Sequence, residues 1–176
     1  MDFREGISWC LVRIAKVLDN AKNDLTEEEA SYRPCRACNS IGATLIHCGR
    51  AEDGWASRIT GQEEIWLANG WADKFRLPKE DRGWSYDDQS PEERRPVAEL
   101  VGYFTETNTV FLQILKTLPE ERMSQMVEGR SLSLSVDKVF THVVTELTQH
   151  LGQIDYVRGM LGKNSAITGT PPPKAI

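Results

Sequence analysis

The sequence has no apolar run approaching the roughly 20 residues that cross a bilayer, which argues against a spanning helix. Charge begins at Asp2 and no apolar signal core follows, so the chain is expected to stay in the cytoplasm. Basic clusters are lacking too: Arg94 and Arg95 form the only adjacent basic pair, and the net charge is −5. A nucleic-acid surface needs clustered Lys and Arg to neutralise phosphates, so that partner class is set aside. Cysteine is scarce. Of four, Cys10 and Cys48 stand alone on helical patterns, and only Cys35 and Cys38 form a CxxC pair. No second pair supplies a zinc site, and no strand precedes the CxxC as a thioredoxin-type role would want. In a cytoplasmic protein these four are expected to be reduced thiols, with Cys35 and Cys38 ordinary loop residues.

What is present is helical periodicity. Ile7, Cys10, Leu11, Ile14, Val17, Leu18 and Ala21 recur on one face of a first helix over about 3–22. Pro34 and polar neighbours make 23–38 a connection. Asn39 or Ser40 can cap a second helix to about Ile59, with Ile41, Leu45, Cys48, Ala51, Trp55 and Ile59 on its stripe and Gly61 at its end. Residues 61–94 hold Trp66, Trp71, Phe75, Trp84 and Tyr86 without sustained periodicity, and read as a long, ordered, aromatic-rich crossing between helices 2 and 3. A third helix covers about 97–118 up to Pro119. A connection containing SLSLS (131–135) follows, then a fourth helix from Ser135 over about 136–161, ended by Gly162. The expectation is an all-α four-helix bundle over 1–162, with a disordered tail over 163–176 that contains PPP.

The last helix carries the oddity. At 100° per residue, Val139, Val143, Leu147, Ile154, Val157 and Leu161 fall within roughly 80° of one another. His150 lies inside that arc, and Glu146 only about 20° beyond its edge. A carboxylate facing a core is costly unless paired, hydrogen-bonded or bound to metal. Four residues apart, Glu146 and His150 leave the same face about 6 Å from each other, so both can reach one ion. His47 is the only histidine outside the last helix, on the flank of the second helix's stripe. Two imidazoles and one carboxylate would leave coordination positions open, as catalytic sites do. His142 shares a face with Glu146 but lies about 12 Å along the helix from His150, too far for both to bind one ion. It is read as a neighbour of the site or a surface residue, and Gln153 as a group that could orient a ligand or bound water. The bland alternative is a salt bridge from Glu146 to Arg50, Arg58 or Lys138 in a purely structural bundle.

The stretches NSIGATLIHCGRAEDGW (39–55), GWADKFRLP (70–78) and HVVTELTQHLGQIDYVRGML (142–161) resemble the DinB/YfiT-like family of metal-dependent enzymes. The resemblance covers all but the tail. It implies metal ligands at His47, Glu146 and His150; the common family pattern has His where this chain has Glu146, and a related branch has Glu there. It further implies one divalent ion, Zn or Ni, and a small-molecule partner such as bacillithiol, mycothiol or glutathione. The implied chemistry is a transferase or hydrolase that activates a thiol or water, in a chain that pairs as a homodimer. A non-catalytic bundle binding metal or a small molecule, with a stress-related or regulatory role, is the alternative.

Overall fold

A computed structural model describes residues 2–79 and 95–170. The chain runs α1 (Phe3–Asn20), α2 (Glu27–Ser31), α3 (Ile41–Thr60), α4 (Ile65–Ala68), α5 (Trp71–Phe75), α6 (Val97–Thr117), a 3-10 turn (Glu120–Arg122), β1 (Met126–Glu128), β2 (Ser133–Ser135) and α7 (Val136–Met160). The fold is all-α, and its four long helices are the four read from periodicity. Two of them open on side-chain caps, whereas Ser135 stands at the head of α7 without its side chain capping it. Asp2 accepts from the Glu5 N–H at the head of α1, and Ser40 accepts from the Ala43 N–H at the head of α3. Gly61, at φ 76°, takes the left-handed conformation that closes α3.

The long helices pack as a ring, with α3 and α1 each touching both α6 and α7. Leu11, Leu18, Ile41, Leu45, Phe104, Phe111, Leu115, Phe140 and Leu147 are buried between them. Each such side chain contributes roughly 1.5–3 kcal/mol relative to remaining in water. Phe111 and Phe140 meet across the centre with ring centroids 4.7 Å apart. Gly49 permits the close approach of α3 and α6, because a Cβ there would sit 2.6 Å from the Tyr103 ring.

Several connections depart from the expectation. The stretch 23–38 contains α2, opened by a capping box in which Thr26 and Glu29 satisfy each other's backbone N–H groups. SLSLS supplies β2, which pairs antiparallel with β1 so that Val127 faces Leu134. Residues 163–170, expected in the disordered tail, are packed. Asp155 accepts from the Ser165 hydroxyl and the Ala166 N–H, and Ala166 is buried. Arg158 completes the attachment, donating to the carbonyls of Ala21, Asn23 and Asn164. Residues 171–176, including PPP, lie outside the described residues.

Cys35 and Cys38 are joined by a disulfide, which corrects the expectation of reduced loop thiols. A turn closed by the Cys38 N–H donating to the Cys35 carbonyl brings their Cα atoms to 5.0 Å, within the span a disulfide bridges. Cys10 and Cys48 are free. Among the described residues, no helix is long and apolar enough to cross a membrane.

Candidate metal centre

Helices α3 and α7 lie side by side and bring His47, Glu146 and His150 together. One ligand-capable atom from each residue lies within 4.8 Å of the others. The Nε2 of His47 is 2.8 Å from Glu146 Oε1, and the rings of His47 and His150 meet edge to face at 4.7 Å. The spacing of four along α7 sets Glu146 and His150 on one face, and the neighbouring α3 delivers His47 opposite them. Two of the three rivals for Glu146 turn elsewhere: Arg50 pairs with Glu64 at 2.5 Å, and Arg58 donates to the Gly54 carbonyl.

The electrostatics suit a ligand set. Burial pushes the Glu146 carboxyl up, but the His47 hydrogen bond and the neighbouring imidazoles outweigh it and hold the group below its ordinary value. Burial drives His150 the other way, favouring the neutral ring; Gln153 and Glu146 only partly oppose this. A charged carboxylate and a neutral imidazole are the forms that bind a cation. The Gln153 side-chain oxygen lies 2.9 Å from His150 Nδ1, so it accepts when that nitrogen carries the proton and leaves Nε2 with a lone pair.

His142 stands one turn before Glu146, with Nε2 3.5 Å from Glu146 Oε2, and its ring meets Trp55 edge-on. Its side chain is 39% exposed, against 12% for His47, so it borders the cluster from the solvent side. On the other flank lies a cavity of about 540 Å³. It is bordered by Gln153, by Thr44 one turn before His47, and by Gln149, Asn39 and Cys38.

Among the described residues of the aromatic-rich crossing, none borders this cavity. Trp66, Trp71 and Phe75 instead cluster on Tyr103 of α6, with centroid separations of 5.3–6.1 Å, and Arg50 stacks over Trp66. Trp84 and Tyr86 lie outside the described residues.

Two buried acids escaped the sequence reading. Glu52 is fully buried, with Asn108 donating to Oε1 and Thr107 Oγ1 3.2 Å from Oε2. Asp53 accepts from the Ile65 and Trp66 N–H groups and from the Tyr103 hydroxyl, anchoring α4 to α3 and α6. The signal for Glu52 was present: positions 41, 45, 48, 52, 55 and 59 form one unbroken helical stripe, and Glu52 occupies it.

An all-α ring of helices carrying a two-histidine, one-carboxylate cluster between its second and last long helices defines a DinB-like bundle. The mycothiol-S-transferase family model matches residues 10–162, and the chain belongs to that family. A crystal structure of a conserved protein from Enterococcus faecalis shares the fold, with a TM-score of 0.78 and 22% identity over 93% of this chain and 99% of that one. Among curated proteins, none matches.

Proposed function

We propose that the protein is a metal-dependent transferase that joins the sulfur of a low-molecular-weight thiol to an electrophile, with His47, Glu146 and His150 holding one divalent ion. The observation that carries this reading is the convergence of three ligand atoms within 4.8 Å on adjacent helices. A tetrahedral ion with bonds of ~2.1 Å needs donors ~3.4 Å apart, which small rotamer changes can supply. The donor set fits zinc or nickel, and three protein ligands leave room for a further one.

When bound, such an ion supplies positive charge that favours a thiolate over a thiol. The remaining work falls to the chain's own residues. Gln153 fixes the ring of His150 through Nδ1. The cavity beside it offers Asn39, Thr44, Gln149 and Gln153 as polar partners for the amide and carboxylate groups that low-molecular-weight thiols carry, and Ile41, Ile154 and Val157 as apolar surface. In the reaction the thiol loses its proton, a sulfur–carbon bond forms, and the electrophile's leaving group departs with its electron pair. Family membership supports the thiol as co-substrate.

The test is conjugation of mycothiol, bacillithiol or glutathione to a chromogenic electrophile, followed by thiol consumption. Turnover that disappears with a chelator and returns with zinc or nickel supports the proposal. Turnover unchanged by metal removal, or no turnover with any of the three thiols after metal loading, contradicts it.

A further inference from the structure

One sulfur of the Cys35–Cys38 disulfide, that of Cys38, borders the cavity beside Gln153, and the metal chemistry makes no use of it. Cys38 borders the cavity together with Pro34, Ala37 and Asn39, whereas Cys35 is exposed outside it. Across the same space stand Gln149, Gly152 and Gln153 of α7, and Gln153 hydrogen-bonds His150. A thiol seated there has one protein sulfur within the same enclosure. That sulfur is Cys38.

This bond is poorly suited to a structural role. It closes a loop with a sequence separation of only 3, and cross-links stabilise least when they close short loops. Its surroundings favour exchange instead. Arg36 directly follows Cys35 in the sequence. Nearby positive charge stabilises a cysteine thiolate as it forms, here that of the leaving sulfur, Cys35.

We propose that this disulfide is a site of reversible S-thiolation: a low-molecular-weight thiol in the cavity opens it by attack on Cys38. The entering thiolate sulfur bonds to Cys38 Sγ, and the Cys35–Cys38 bond breaks. Its electron pair goes to Cys35 Sγ, which takes up a proton equivalent to the one the entering thiol lost. The product is a mixed disulfide at Cys38 and a free thiol at Cys35. A second thiol molecule attacks the small-molecule sulfur of that mixed disulfide, leaving the protein as a dithiol and two thiol molecules oxidised to their disulfide. While the adduct persists, it occupies the cavity beside Gln153. The inference rests on the cavity as a thiol seat, but not on the metal: the exchange needs no ion, so it survives if metal binding fails.

Reduced glutathione is the probe. The disulfide form of the full chain is mixed with it, quenched in acid at intervals, alkylated at free thiols and mapped by peptide mass spectrometry. The expected result is glutathione on Cys38 with Cys35 alkylated, in metal-supplied and chelator-treated protein alike. The Gly152→Phe variant adds a ring at a position of α7 that borders the cavity, where an added Cβ meets nothing within 4 Å. It is expected to slow adduct formation about tenfold while helical circular dichroism stays unchanged. Adducts found chiefly on Cys35, no adduct at all, or equal rates in a folded Gly152→Phe protein would each overturn the proposal. The position of the adduct in the unmodified chain decides the matter even if that variant does not fold.

Discussion

Two glutamates, Glu52 on α3 and Glu146 on α7, are turned toward the interior and have opposite fates. Glu52 is fully buried and meets two hydrogen-bonding groups, Asn108 and Thr107. Burial there, partly offset by Asn108 and Thr107, raises its carboxyl to about 8. Around Glu146 three histidines outweigh the same burial effect and keep the carboxylate charged. Thr107 sharpens the contrast. Its hydroxyl is 2.9 Å from the Phe104 carbonyl and 3.2 Å from Glu52, yet has only one proton to give. A neutral Glu52 can donate to Thr107 while Thr107 donates to Phe104, and the network closes. An inward carboxylate is therefore not a ligand by position alone; what surrounds it decides its charge and so its use.

The largest expected effect breaks the symmetry directly. Glu146→Gln or His150→Ala should weaken metal affinity by on the order of 100-fold or more, whereas Glu52→Gln should leave it unchanged in a competitive chelator titration. Metal retained in the first two variants would mean that the cluster is not the site. Next in size, Glu52→Ala should lower unfolding free energy by roughly 2–4 kcal/mol, because it leaves Asn108 unpaired and opens a void; Glu52→Gln should cost much less. Urea denaturation separates the two.

The pH dependence sharpens the comparison further. Glu52 has a folded-state value near 8 against 4.5 for the ordinary group, so between those values the folded state holds a proton that the unfolded chain releases. Its contribution is complete below about pH 4.5 and is lost as pH rises toward 8, by up to roughly 1.4 kcal/mol per pH unit. Glu52→Gln should remove this decline from the stability–pH curve, and identical slopes in the two proteins would show that Glu52 is charged. The smallest effect is reserved for Gln153→Ala. Loss of the group that orients His150 should weaken metal binding about tenfold without measurable loss of stability.

Helix periods and caps exposed most of this architecture because each long helix has one apolar stripe and a recognisable end. The three-residue cluster was legible for the same reason: Glu146 and His150 interrupt an apolar face at a ligand spacing, and His47 had no competitor outside α7. Glu52 was passed over in favour of Ala51, though the stripe through 41, 45, 48, 55 and 59 points to it. Short elements were harder to see. The helices α2, α4 and α5 are four or five residues long, too short to show a period, and depend on tertiary anchors such as Asp53. The packing of 163–170 on Asp155 and Arg158, and the closure of Cys35 onto Cys38, depend on partners or turn geometry that composition does not reveal.

Anomalous diffraction from crystals grown with zinc or nickel addresses the central claim most directly. One ion bonded to a nitrogen of His47, an oxygen of Glu146 and a nitrogen of His150, with the His47–Glu146 hydrogen bond replaced, is the predicted result. Density for the ion only elsewhere on the chain, with that hydrogen bond intact at 2.8 Å, would contradict it.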